Sequence, residues 1–275
     1  MAPRSWNDVQ PSARASAVRA RAHRPALIAA ADTASDLLNI HQTRLAAQRS
    51  LGDFFMFNAM EGDQKYAKMV DASSQSATDA LGKLGEMPGN ESKKLRSELQ
   101  DEWKAYAAQL HTLTGALDKS GYTDLQPVAD LAAQNRKLLD TAEQLYAKIQ
   151  EESGSKVPPL TQQTREQSLL MQDIAVDYAS RNASVGASFF GGGEERPLDD
   201  LANRFAINLV KLQQAPQTTP EIGQELRGVA IKWRYIEKSL QNYNQNSVPF
   251  LINKYSDRII EDLEKVSGLY AAQQS

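Results

Sequence analysis

Arg44-Leu45-Ala46-Ala47-Gln48-Arg49, followed by an aromatic run from Phe54, and Gln167-Ser168-Leu169-Leu170-Met171-Gln172-Asp173-Ile174-Ala175, followed by Tyr178, are two statements of one pattern. Each then reaches a lone tryptophan in a charged helical stretch, Trp103 in Glu98-Leu99-Gln100-Asp101-Glu102-Trp103 and Trp233 after Glu225-Leu226-Arg227. Each passes a proline, Pro127 or Pro249, and closes on an amphipathic segment ending in Leu145-Tyr146-Ala147 or Leu269-Tyr270-Ala271. The glutamine-to-tryptophan spacing is 55 residues in the first copy and 61 in the second. A period above a hundred residues marks two duplicated modules, because solenoid units are far shorter.

Working outward, the apolar positions keep helical spacing throughout. From residue 32 to about 85, Leu37, Leu38, Leu45, Leu51, Tyr66, Met69 and Val70 recur on one stripe. Asp32-Thr33 is the expected N-cap, and Gly62 marks a bend or a boundary. Pro88-Gly89-Asn90 is a turn that opens a helix through Trp103 to about Leu117, stopped at Lys119-Ser120-Gly121. A further helix runs from about Leu125 to Ile149, with Pro127 in its first turn. The second copy predicts helices from about 161 to 188, 198 to 214, 221 to 245 and 248 to 272. No stretch alternates with period two, so no sheet is expected. The expected fold is all-α: two tandem up-down four-helix bundles, with long helices available for sharing between them. The expected division is a leader at 1–31, a first module at 32–150, a linker at 151–160 and a second module at 161–275.

Bulk composition narrows the function. A net charge of -3 gives no electrostatic reason to expect nucleic acid as a partner. With no cysteine there is no disulfide, thiolate nucleophile or thiolate metal site, and the three histidines, His23, His41 and His111, form no ligand pair on a helix. No serine elbow and no Ser/His/Asp arrangement is present, so neither catalysis nor a cofactor is expected. The first 25 residues carry Arg4, Arg14, Arg19, Arg21 and Arg24 against a single acid, Asp8, with prolines between. They read as a disordered basic leader or a cloning remnant, or alternatively as the remnant of an export signal. The apolar run Ala26-Leu27-Ile28-Ala29-Ala30-Ala31 is far short of the ~20 residues of a membrane span, and no other segment is expected to cross a bilayer.

The hexapeptide Arg44–Arg49 resembles the Arg-Met-Leu-Ser-Gln-Arg motif of the PilJ-type sensor domain, found in the extracytoplasmic region of type IV pilus methyl-accepting chemoreceptors and related to nitrate/nitrite sensor kinases. The segment around Gln172 is similar to the same motif in a second such domain, and the closing stretch from Val248 to Ala271 also resembles the family. The resemblance spans about residues 32 to 273 and implies a periplasmic, four-helix sensory module, often dimeric across its first helix. It implies a nitrate-like anion as ligand, with Arg44 the matching clamp residue and Arg49 a second candidate. The family's preceding Gly-Arg-Gln is His41-Gln42-Thr43 here, and the second copy has Ser168 and Asp173 at the arginine positions.

The residues themselves leave alternatives open beside this. Arg44 and Arg49 lie five apart, off a common helix face, and by themselves read first as surface salt-bridge residues. Trp103 and Trp233 read as core anchors. Phe54, Phe55, Met56, Phe57 and Met60 are too many for one face, so part of the run is a candidate dimer seam or module interface. Phe189 and Phe190, before Gly191-Gly192-Gly193, form either a plain flexible connection or a mobile partner-binding tip. Two functions follow: an extracytoplasmic ligand sensor of a type IV pilus or chemosensory system, or a helical module that docks a pilin or assembly protein without any small ligand.

Overall fold

The computed structural model describes residues 14–183, 198–242 and 248–273, with side chains from residue 32 onward and that of residue 182 excepted. Among these residues the chain is all-α: α1 (Arg14–Ala59), α2 (Gln64–Gly82), α3 (Asn90–Ser120), α4 (Leu125–Ser153), α5 (Pro159–Ala183), α6 (Leu198–Gln214), α7 (Pro220–Gln241) and α8 (Pro249–Ala272).

Local chemistry sets most of these ends. Asp63 accepts the Lys65 N–H at the start of α2, and Thr219 caps α7 with Pro220 in the first turn. Gly62, Gly121 and Gly154 take positive φ after α1, α3 and α4, conformations that cost an L-residue a Cβ clash. One expectation changes. The helix is already under way at Asp32-Thr33, since α1 starts at Arg14 and continues through Pro25, so no N-cap stands there. At Gly62 the expected boundary is present: the 32–85 stretch is two helices, because Glu61 and Gly62 turn the chain back.

Two cores result. Helices α1 to α4 enclose one, centred on Phe54, Phe57, Leu99, Tyr106, Leu138 and Ile149. Helices α5 to α8 enclose the other, around Met171, Phe205, Leu226, Ile259 and Leu263. Full burial of each such side chain is worth about 1.5–3 kcal/mol against exposure, set against the entropy of ordering the chain. Neighbouring helices run antiparallel. Asp36 of α1 accepts the Gly85 N–H beyond α2 at 2.7 Å, Gln109 of α3 donates to the Pro127 carbonyl of α4 at 2.9 Å, and Lys232 of α7 meets Asp262 of α8 at 2.5 Å.

The two halves meet where α1 packs on α5. Here the direction is parallel: Gln48 donates to Asp173, and Gly52 faces Val176. These pairs are offset by 125 and 124 residues, and the repeated glutamines, Gln48 and Gln172, are offset by 124. Equivalent positions of the two copies therefore lie side by side, as a two-fold axis along the helix pair would place them. The copies also exchange side chains, with Leu45 of α1 in the second core and Ala179 of α5 in the first. Over residues 32–59, α1 has α2, α4 and α5 around it, which explains an apolar run too broad for one face.

Gly52 marks a close approach of the two helices in that seam. A Cβ there would stand 3.2 Å from Val176 Cγ2. Gly52→Leu is expected to cost about 1–3 kcal/mol by overpacking and to lower the thermal midpoint by several degrees. Adding Val176→Ala should recover part of the loss. An unchanged midpoint in Gly52→Leu would show that the helices do not meet there.

Candidate functional site

Beside the α1–α5 seam, α1, α2 and α8 border a groove of about 650 Å³, to which α5 contributes Gln172. Its floor on α1 is Gln42, Leu45, Ala46, Arg49 and Asp53, which are helical neighbours at three- and four-residue steps. Helix α2 supplies Met69, Ala72, Ser73, Ser76 and Asp79, and α8 supplies Asp257, Ile260, Glu261 and Glu264. Both halves of the chain thus build one groove.

Two polar side-chain pairs cross from α1 to α8 beside this groove. Arg49 donates to Asp257 at 2.7 Å, and His41 Nε2 lies 2.8 Å from a Glu264 carboxylate oxygen. His41 is buried, and burial pushes its imidazole below the usual value while Glu264 pulls the other way. Burial would raise Glu264, but the His41 hydrogen bond and charge hold its carboxyl below the usual carboxylate value. The pair thus joins α1 to α8 by a hydrogen bond between imidazole and carboxylate. On the opposite flank, Arg165 of α5, itself buried, donates to the Tyr146 hydroxyl of α4 at 3.1 Å, and that hydroxyl donates to Gln162 at 2.6 Å.

Asp53 is the residue without such a partner. Its side chain is 1% exposed, lines the groove, and neither carboxylate oxygen accepts a hydrogen bond. Ser73 stands beside it but directs its hydroxyl proton to the Met69 and Val70 carbonyls. Burial pushes the Asp53 carboxyl from 3.8 up to about 7, and the Asp257 charge adds to the push, while Ser73 and Arg49 oppose it.

The arginines expected to clamp an anion do not converge. Arg44 pairs with Glu143 of α4 at 3.2 Å, inside the first half, and does not line the groove. Arg49 lines it but is held by Asp257. Their five-residue spacing sends them to different helices. The aromatic run is likewise taken up within the chain: Phe54, Phe55 and Phe57 are buried in the first core and Met60 packs partly buried against it. Of the readings open for this run, those rings take the core one and offer no free surface to a partner. Phe189 and Phe190 lie outside the described residues. Trp103 and Trp233 are core residues, Trp103 donating to Thr78 at 3.1 Å and Trp233 lying 4.3 Å from Phe205 between ring centres.

Asp53 escaped the sequence reading because a carboxylate between Gly52 and Phe54 looks like a solvated helix position. The available signal was its place inside an unbroken apolar run, Leu51 to Phe57, where a charge has to be either paired or costly. Among the described residues no cluster of three or more His, Asp or Glu side chains is placed to hold a metal ion, and no helix is long and apolar enough to cross a membrane. No protein-family profile, curated protein or solved structure matches the chain.

The Asp53 environment makes stability pH-dependent. Its folded value lies above 3.8, so its contribution is fully present below pH 3.8 and is lost as pH rises through about 7. The charged groups along the groove are Arg49 on α1, Asp79 on α2, Lys83 just past the end of α2, and Asp257, Glu261 and Glu264 on α8, and Asp53→Asn leaves all of them in place. The stability of Asp53→Asn relative to wild type should therefore improve by about 2–3 kcal/mol between pH 5 and pH 8, read from urea unfolding at both values. A pH-independent difference would mean that Asp53 reaches water or a partner.

Proposed function

We propose that the chain is a non-catalytic, ligand-sensing region in which a small molecule occupies the α1–α2–α8 groove. The observation that carries this reading is that one groove is built from both halves of the molecule, with the Arg49–Asp257 ion pair crossing it. A ligand there touches both copies at once, so its affinity depends on how they sit against each other. That dependence is the thermodynamic requirement for a sensor, because a ligand shifts only an equilibrium whose two states it binds differently. The setting belongs to the same proposal: the extracytoplasmic side of the inner membrane in a type IV pilus or chemosensory system, supported by the motif resemblance at Arg44–Arg49 and Gln167–Ala175. The alternative, a docking module for a pilin or assembly protein, draws no support from Phe54, Phe55 and Phe57, which are buried.

A thermal-shift screen of small anions, cations and neutral solutes tests the reading, with Ala72→Trp as control. Ala72 is exposed at the groove wall, so an indole there fills the space without disturbing a core residue. At least one class is expected to raise the wild-type midpoint in a saturable manner and to leave Ala72→Trp unmoved. If none does, or if Ala72→Trp responds equally, the groove is not the sensing site.

A further inference from the structure

We infer that the groove takes an organic ammonium ligand, a primary amine or short polyamine, with one ammonium group seated on Asp53. This rests on the reading of the groove as a ligand site and names the chemistry it selects. Five carboxylates line the groove against two cationic side chains, and one of those cations, Arg49, is already held by Asp257. The field inside therefore favours positive charge. An anion would have to displace Asp257 from Arg49 and face the remaining acids, a like-charge arrangement that costs affinity.

Asp53 is what turns an acidic wall into a site. It is buried, lines the groove, and neither oxygen has a donor. An unpaired buried carboxylate forfeits its water hydrogen bonds without replacement, and a ligand that brings N–H donors restores them. An ammonium brings three donors and a full compensating charge. The rest of the wall suits the carbon chain of such a ligand, since Leu45, Ala46, Met69, Ala72 and Ile260 supply apolar surface. No metal-ligating cluster surrounds Asp53, which separates this chemistry from that of a divalent cation.

The second copy supplies an internal comparison. At the repeat offset of 124, Asp177 stands where Asp53 stands and Arg181 stands where Phe57 does. Arg181 donates to both oxygens of Asp177 at 3.2 Å. One copy thus satisfies this carboxylate with a guanidinium four residues on, in its own helix. The other replaces that guanidinium with a buried phenylalanine and leaves its carboxylate buried at the wall of a groove. The cation missing from the first copy is the one the ligand provides.

Calorimetric titration of the full chain with putrescine and spermidine, beside nitrate, propionate and magnesium, decides the matter. Saturable polyamine binding is expected, weakened tenfold or more in Asp53→Asn and abolished in Ala72→Trp. Ser76→Lys, which adds a cation at an exposed groove position, should also weaken it several-fold without touching a buried residue. Polyamine binding that is absent, or as tight in Asp53→Asn and Ser76→Lys as in wild type, overturns the inference. If nitrate or propionate binds instead and Ala72→Trp blocks it, the groove is a ligand site and only the ammonium assignment fails. If nothing binds, both fall.

Discussion

The parallel contact between α1 and α5 is the constraint from which the rest of the molecule follows. Each helix opens its copy of the repeat, and they meet in equal register, Gly52 against Val176 and Gln48 against Asp173. Such a pairing leaves α1 enclosed on several sides, so its sequence must be apolar around most of its circumference from Leu51 to Phe57. It also brings α8 beside α1, where His41–Glu264 and Arg49–Asp257 join the halves, while Arg165 and Tyr146 join α5 to α4. Buried polar pairs of this kind gain little net stability over apolar packing, but a one-turn slip of α1 along α5 would strand every one of them. Their role is to fix the register that the apolar surfaces alone leave free.

The groove is a by-product of the same geometry. Three helices drawn from two bundles cannot fill the wedge between them as a single bundle does, and small residues on α1 and α2, Ala46, Ala72, Ser73 and Ser76, leave it open. Into that space the chain places a carboxylate that its own side chains do not pair. A buried, unpaired Asp53 is destabilising above neutral pH. Sites that carry such a cost in a ligand-sized space are where binding chemistry concentrates, since the ligand recovers what folding gave up.

How much of this could be read in advance divides along a physical line. Local signals were legible: Gly121 stops α3 in the left-handed conformation, Leu125 opens α4, and α6 spans Leu198–Gln214 as its apolar spacing predicts. Those depend on neighbours in sequence. The Asp32-Thr33 cap failed because capping residues are also tolerated inside a long helix, and nothing local marks the difference. The aromatic run at Phe54 exceeds one face, as its density implies, but which of core, module interface or dimer seam takes it up depends on the helices around α1, which no local signal names. Arg44 and Arg49 carried a motif, but their partners, Glu143 and Asp257, lie about a hundred and two hundred residues away, and only the fold shows that both are engaged. Asp53 carried only the signal of its apolar neighbours, because burial belongs to the assembled seam and not to the residue.

A duplicated chain that packs its first helices in parallel has built within itself the interface that a single module would form with a second copy. Over residues 32–59 the face of α1 that such a dimer would use is occupied by α5. The consequence is freedom that a true homodimer lacks. Identical subunits must carry the same residue on both sides of the axis, so a carboxylate on one is a carboxylate on the other. Covalent duplication removes that rule, and this chain departs from it at three equivalent positions: Arg49 against Asp173, Phe57 against the Arg181 that pairs Asp177, and His41 against Arg165. Each departure moves charge across the seam. Together they leave one side with a satisfied ion pair and the other with a buried carboxylate at the wall of a groove. In the sensing role proposed above, asymmetry of that kind lets a pseudo-symmetric molecule present a site on one side of its axis alone, and a ligand there acts by binding two arrangements of the halves differently.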